Sequence, residues 1–137
     1  MNEKKVFLEK QRKDLCDEVV KNCDIFEKNI DKDDFSAKIF YKKLRADYLR
    51  YYGESVSEEA FEEKKKICLN SYEEAYQLCQ EKLDYTSPLF LSVVLNYSVF
   101  LYTLTDDTSK AYNIANDTYK KAITKLKKEI YVSVSSS

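Results

Sequence analysis

FYKKLRADYLRYYGE, residues Phe40–Glu54, is the stretch that decides the fold. Because a helix turns about 100° per residue, Lys43 and Arg50 would share one helix face two turns apart. Tyr51 borders that face, and an Arg fork, a Lys ammonium and a Tyr hydroxyl together suit a dianionic phosphate. The alternative is a solvated basic face on which Asp47 pairs with Arg50 or Lys43. Spacing alone favours that alternative.

The composition predicts a protein made of long helices. The 137 residues contain a single Gly and a single Pro, and 44% of them are hydrophobic. Sheets need turns that are rich in these two residues, and so do many linkers. We therefore expect an all-α, antiparallel array of about five helices, joined by short loops. Residues 1–131 would form a single helical domain, and residues 132–137 a polar tail.

Charge and residue types argue against several classes of function. The 23 basic and 24 acidic residues give a net charge of −1, whereas a nucleic-acid-binding domain should show a basic excess. The start has no uninterrupted apolar core of a signal peptide, and the longest apolar stretch, Leu89–Leu104, is too short and too polar for a membrane span. His is absent and no CxxC pair occurs, so we expect no metal site, no cofactor and no enzymatic activity. The four cysteines are expected to be buried, reduced thiols of a cytoplasmic protein.

Apolar periodicity and capping signals give approximate helix bounds. The expected helices are Glu3–Asn29, Ser36 to just before Gly53, a third that follows the Ser55 cap and ends at about Leu83, Pro88–Leu104, and Ser109–Ile130. Val6, Leu15, Val19 and Phe26 form the apolar stripe of the first helix. Gly53 is interpreted as a left-handed C-cap, and Ser55 to Glu58 as a capping box. The fourth helix is apolar almost all round and should be buried on most sides.

Asn96 is the unusual polar residue of that fourth helix. It lies within SVVLNYSVF, where a buried amide without partners would cost on the order of 1–3 kcal/mol. Ser92 and Thr103 share its side of the helix, and Leu95 and Val99 flank it with apolar surface. A groove with one polar and one apolar wall suits an extended peptide, but a structural amide is the more common explanation.

Three stretches together resemble the 14-3-3 family. They are KIFYKKLRADYLRYYGE (Lys38–Glu54), SYEEAYQLCQEKLDYTSPLFLSVVLNYSVFLY (Ser71–Tyr102) and KAYNIANDTYKKAI (Lys110–Ile123). Their order and separation fit the family as well, over roughly residues 10 to 130. The resemblance implies an all-helical, dimeric adaptor that binds partner segments containing phosphoserine or phosphothreonine in an extended conformation.

The resemblance also implies roles for individual residues. Those facing the phosphate would be Lys43, Arg50 and Tyr51. Asn96 would bond the backbone of the partner beside the phosphorylated residue, and Leu95 and Val99 would belong to the apolar wall. Charge-assisted bonds would supply affinity, and the amide would enforce the extended shape of the peptide.

The chain matches only the fourth to eighth of the nine helices of that family. Two further basic residues of the phosphate pocket, on the third helix, have no counterpart, and neither does the last helix. Losing two charge-assisted contacts at about 1.5–3 kcal/mol each would weaken binding by roughly two to four orders of magnitude. Most of the dimer surface is also missing, and its remaining contact positions fall at Lys4, Phe7 and Gln11. A helical scaffold that binds partners without reading phosphate is therefore the alternative function.

Overall fold

The protein consists of five helices in its computed structural model, which describes residues 2–136. Their bounds are α1 Glu3–Asn29, α2 Phe35–Ser55, α3 Glu58–Lys82, α4 Pro88–Leu104 and α5 Thr108–Ser135. Residues 2–136 contain no strand, and the predicted all-α fold is confirmed. Met1 and Ser137, the outer ends of the predicted domain and tail, lie outside this range.

Most of the helices have a polar side chain that caps their N-terminus. Backbone N–H groups donate to the side chains of Asn2, Asp34, Ser57 and Asp107. Such caps satisfy N–H groups that have no partner inside the helix. Ser87 and Pro88 occupy the N-cap and first position of α4, although the Ser87 side chain makes no capping bond. The predicted capping box is wrong in register, because Ser57 rather than Ser55 accepts the bond, from the Ala60 N–H at 3.2 Å.

Gly53 does not end α2. The helix continues through it to Ser55, and the backbone of Gly53 is not in the left-handed region that a C-cap of this kind requires. A Cβ atom at this position would lie 2.7 Å from the Phe61 ring of α3. Gly53 is therefore explained by the close approach of this ring, and the C-cap prediction is wrong.

The contacts divide the chain into two compact units. The first ends at Ala75 and the second begins at Tyr76, so α3 contributes to both. The expectation of a single domain over residues 1–131 stays a prediction.

In the first unit, α1 packs against α2. All four cysteines of the protein are buried with free thiols, as expected, and the two on α1 are Cys16 and Cys23. The predicted apolar stripe of α1 is wrong as an account of its buried face. Leu15 is 57% exposed and Phe26 is 49% exposed, whereas Cys16 is 2% exposed. Thiol side chains are small, and their position on the buried face lets α1 and α2 pack closely.

In the second unit, α4 packs against α5. The residues of α4 that are buried are Phe90, Val93, Val94, Tyr97, Phe100 and Leu101. The expectation that α4 is buried on most sides is wrong for one face, because Leu95 is 63% exposed and Tyr102 is 68% exposed. Helix α5 reaches Ser135 and so includes most of the segment that was expected to be a tail.

Across residues 2–136, none of the five helices combines the length and the apolar character that a membrane-spanning segment requires. The same residues contain no group of three His, Cys, Asp or Glu side chains placed to hold a metal ion.

Candidate functional site

Arg50 of α2 is held in place by two neighbouring polar groups, Tyr72 and Glu54. Its side chain is almost entirely buried, and its Nε donates to the Tyr72 hydroxyl at 3.0 Å. Its Nη1 donates to Glu54 Oε1 at 2.7 Å. Its Nη2 is 4.0 Å from Asp47 Oδ1, which is too long for a hydrogen bond. The guanidinium therefore has a fixed orientation, with two of its nitrogens engaged.

Asp47 joins the two cations of α2. Its Oδ2 accepts a hydrogen bond from Lys43 Nζ at 2.8 Å, and its Oδ1 accepts one from the Tyr72 hydroxyl at 2.5 Å. The contact between Lys43 and Asp47 is the pairing that the alternative interpretation of this helix expected. The contacts through Asp47 and Tyr72 also bring Lys43 and Arg50 into one connected group. We call Lys43, Asp47, Arg50, Glu54 and Tyr72 the Arg50 cluster.

The charges within the Arg50 cluster balance. Lys43 and Arg50 carry one positive charge each, and Asp47 and Glu54 carry one negative charge each. Asp47 is 5% exposed, and a buried carboxylate needs such partners because its desolvation is costly. The two cations of this cluster therefore already have counter-charges, with which any further anion would have to compete.

Arg50 and Tyr72 both stay protonated around neutral pH because the pKa of each group is raised. Burial alone would lower the pKa of Arg50, but hydrogen bonds with Tyr72 and Glu54 outweigh it and raise the pKa. Burial raises the pKa of the Tyr72 hydroxyl, and the adjacent Asp47 carboxylate raises it further. Tyr72 therefore keeps its proton, its O–H donates a hydrogen bond to Asp47, and its oxygen accepts one from Arg50 Nε.

Tyr51 lies on the exposed side of Arg50. Its side chain is 48% exposed, and its ring centroid is 4.8 Å from the Arg50 guanidinium carbon, which is a cation–π contact. Tyr51 also lines a cavity of about 210 Å³ between α1 and α2, together with Arg12 and Tyr48. The structure thus brings Lys43, Arg50 and Tyr51 close together on α2.

Two residues of this site were missed by sequence reasoning. They are Tyr72 of α3 and Glu54 of α2, neither of which was assigned to the site from the sequence. The hydroxyl of Tyr72 reaches Arg50 across 22 positions of the chain, and no spacing rule within one helix predicts such a contact. Glu54, in contrast, lies four residues after Arg50, which is the spacing of a helical ion pair and was a usable signal.

The remaining predicted residues lie in the second unit, on α4. Asn96 is partly exposed, and so is Val99, while Leu95 is largely exposed. Thr103, which was expected to share the polar side of Asn96, donates its hydroxyl to the Val99 carbonyl at 2.7 Å. Ser92 likewise donates to the Leu89 carbonyl at 2.8 Å. These two hydroxyl protons are thus used inside α4.

Comparison with known proteins indicates one family. The family model described as "14-3-3 protein" matches residues 1–135. The chain is 34% identical to 14-3-3 protein 3 of Entamoeba histolytica over 116 residues, which are 80% of this chain and 48% of that protein. It is 31% identical to human 14-3-3 protein eta over 120 residues, or 87% of this chain and 49% of that protein. It is 32% identical to 14-3-3-like protein 2 of Caenorhabditis elegans, also over 120 residues, or 87% and 48%.

The chain spans about half the length of these curated relatives. The match to the family model nevertheless covers nearly all of the chain. The helical fold agrees with the resemblance that the aromatic helix and the LNYSVF segment indicated. The chain therefore belongs to the 14-3-3 family.

Proposed function

We propose that this protein is a cytoplasmic adaptor that binds phosphoserine- or phosphothreonine-containing segments of other proteins, without catalysing a reaction. The observation that carries the proposal is the fixed orientation of Arg50 by Tyr72 and Glu54, with Tyr51 against its guanidinium. Ordering the side chain in advance reduces the entropy cost of binding an anion. Family membership supports an adaptor role of this general kind.

The phosphate would be bound on α2. Arg50 Nη2, which makes no short contact with Asp47, is the nitrogen that would donate to a phosphate oxygen. Lys43 would supply a second charge by turning its ammonium from Asp47 toward the phosphate, and the Tyr51 hydroxyl would donate a further hydrogen bond. Since Asp47 and Glu54 partly neutralise these cations, we expect weaker binding than three cations without counter-charges would give.

The peptide itself would be bound by residues of α4. We assign to Asn96 a hydrogen bond with the backbone of the bound peptide, and to Leu95 and Val99 contacts with its apolar side chains. Leu95 is 63% exposed and so has area to bury. An amide that satisfies the backbone of an extended segment would favour that conformation over a helical one.

A pair of peptides tests the proposal. A phosphoserine peptide and its unphosphorylated twin are titrated against the protein by fluorescence anisotropy, and we expect binding of the phosphorylated peptide only. Arg50→Ala should abolish it and Arg50→Lys should weaken it, because Lys lacks the planar fork. The exposed Lys66→Ala on α3 is the control for loss of one positive charge. Equal binding of the twins, or unchanged binding by Arg50→Ala, would reject the proposal.

A second candidate function is an adaptor that does not read phosphate. The charge balance of the Arg50 cluster favours it, because Asp47 and Glu54 already satisfy Lys43 and Arg50. In that case, partners captured on the immobilised protein remain bound after treatment with phosphatase. Release of the partners by phosphatase would reject this candidate and support the first.

A further inference from the structure

The second unit carries a concentration of positive charge that the proposed phosphate site on α2 does not use. Residues 120–128 of α5 contain five lysines and no acidic residue, although the whole chain has a net charge of −1. Four of these lysines line a cavity of about 490 Å³, together with Thr124 and with Tyr85 from the segment between α3 and α4. The four are Lys120, Lys121, Lys125 and Lys128. We call this cavity the Tyr85 pocket.

Helix geometry places the four lysines on one side of α5. Lys121, Lys125 and Lys128 follow one another at steps of four and three residues, and residues at these steps are neighbours on a helix surface. Lys120 lies about 80° from Lys128 around the helix axis, at the edge of the same face. All four side chains are exposed or partly exposed, so a ligand from solution can reach their ammonium groups.

Lys120 and Lys128 have no counter-charge. Neither forms an ion pair with a carboxylate anywhere in residues 2–136, in contrast to Lys43 and Arg50, which both have carboxylate partners. The two lysines are eight residues apart, or about 12 Å along the helix axis at 1.5 Å per residue. An anion that neutralises both therefore needs negative groups at two points, as in a molecule with two or more phosphates.

Lys121 and Lys125 lie between these two in the sequence and are paired with carboxylates. Lys121 Nζ is 3.2 Å from Asp117 Oδ2, and Lys125 pairs with Asp84. Ion pairs at exposed positions contribute little to stability, so a phosphate can replace either carboxylate at small cost. Asp84 keeps other partners in that case, because its Oδ1 accepts hydrogen bonds from the N–H and the hydroxyl of Thr86.

Tyr85 gives the pocket an aromatic wall in a fixed position. Its ring packs against the buried ring of Phe90, with the centroids 5.3 Å apart. The Lys121 ammonium is 5.0 Å from the centroid of Tyr85 and donates a hydrogen bond to the Tyr85 hydroxyl at 3.3 Å. Because this hydroxyl accepts from Lys121, its own O–H is left to donate to a phosphate oxygen. The pocket thus offers a fixed hydroxyl donor beside its ammonium groups.

The volume and the borders of the pocket indicate a small ligand. A cavity of about 490 Å³ is within the range of small-molecule sites. Carboxylates border it at Asp84, Asp117 and Glu129, each of which lies against one of its lysines. A long polyanion such as a nucleic acid would run past these carboxylates and be repelled, whereas a compact one fits between them.

We propose that the Tyr85 pocket binds a small molecule that carries two or more phosphate groups, with one phosphate at Lys120 and another at Lys128. The Tyr85 hydroxyl donates to a phosphate oxygen between them. The same chemistry occurs in a free polyol phosphate and in the headgroup of a phosphorylated lipid. The site is independent of phosphopeptide binding, since neither Lys43 nor Arg50 lines the pocket.

Calorimetric titration of the full chain with inositol trisphosphate tests the proposal. The trisphosphate should bind at least tenfold more tightly than inorganic phosphate, because a single phosphate does not reach both lysines. Lys120→Gln combined with Lys128→Gln should weaken binding at least tenfold, and replacing both by Arg should preserve it. Both side chains are exposed, so these variants should keep the fold. Lys10→Gln combined with Lys13→Gln, on the exposed side of α1, removes the same charge and should leave the affinity unchanged.

Three results overturn the proposal. They are equal binding of trisphosphate and inorganic phosphate, an effect of the α1 pair as large as that of the α5 pair, and loss of trisphosphate binding in Arg50→Ala. The last would place the molecule on α2, whereas failure of phosphopeptide binding alone leaves the proposal standing.

Sedimentation with phosphatidylcholine vesicles that contain phosphatidylinositol bisphosphate separates the two sources of the ligand. Once trisphosphate binding is established, pelleting that Lys120→Gln combined with Lys128→Gln abolishes supports a lipid headgroup as the ligand. Absence of pelleting supports a free molecule. Pelleting that these substitutions leave unchanged overturns the lipid assignment, because the vesicles would then bind elsewhere on the protein.

Discussion

Replacing Tyr72 by Phe removes the hydroxyl that connects Arg50 to Asp47. Tyr72 is fully buried, and its oxygen is 3.0 Å from Arg50 Nε and 2.5 Å from Asp47 Oδ1. Hydrogen bonds to charged groups contribute about 1.5–3 kcal/mol each. Asp47 keeps its hydrogen bond from Lys43, and Arg50 keeps its hydrogen bond to Glu54. We therefore expect each of the two lost bonds to cost an amount near the lower end of this range. The free energy of unfolding should fall by about 3 kcal/mol.

Urea unfolding measures this loss directly. With a slope near 2 kcal/mol per molar urea, the midpoint should shift down by about 1.5 M. Phosphopeptide affinity should fall in the same variant, because the Arg50 guanidinium loses one of the two bonds that orient it. Tyr119→Phe, in the exposed side chain of α5, is the matched control and should change neither quantity. A Tyr72→Phe midpoint within 0.3 M of the wild type, taken as roughly the error of the measurement, would refute the reasoning.

Three further predictions concern single positions. Gly53→Ala should destabilise the protein by about 1–3 kcal/mol, because the new Cβ would lie 2.7 Å from the Phe61 ring; adding Phe61→Leu should recover part of this in urea unfolding. Glu54→Gln removes one counter-charge of Arg50 while keeping the shape of the side chain, so phosphopeptide affinity by anisotropy should rise roughly two- to fivefold. A fall would mean that the Glu54 charge orients Arg50 rather than competing with the phosphate. Burial raises the pKa of the Cys79 thiol from 9.0 to about 12. Above pH 9 the unfolded chain therefore loses a proton that the native state keeps, so the free energy of unfolding should be about 1.4 kcal/mol lower at pH 10 than below pH 8 on account of this thiol. In Cys79→Ala the free energy of unfolding should fall correspondingly less between pH 8 and pH 10. An identical fall in the variant would contradict the assignment of this pH dependence to Cys79.

The helices were predictable from the sequence because their signals are local. Scarce Gly and Pro, the Ser87–Pro88 start and regular apolar spacing depend on residues within a turn or two of one another. The same is true of Lys43 and Arg50, whose common face follows from helix geometry alone. Such features require no knowledge of what packs against the helix.

Features that depend on a neighbouring helix were not predictable in this way. Gly53 carries the sequence signal of a C-cap, but it is required by the Phe61 ring of α3. Leu15 belongs to the apolar stripe of α1, yet the thiol of Cys16 occupies the buried position beside it. In both cases the identity of the facing element decides the outcome, and one helix does not contain that information. The part of Tyr72 in the Arg50 cluster was missed for the same reason.

The two interpretations of the α2 face are not exclusive. Asp47 pairs with Lys43 at the spacing of a helical ion pair. An ion pair on a solvated helix face would be exposed, however, whereas the Asp47 side chain is buried. A buried carboxylate costs free energy unless several donors surround it, and here Lys43 and Tyr72 both donate to it. Because the same Tyr72 oxygen accepts from Arg50, satisfying Asp47 also fixes the guanidinium. The ion pair that argued against a phosphate site is thus part of what orders Arg50, and by the same contacts it would limit the affinity of the proposed site for phosphate.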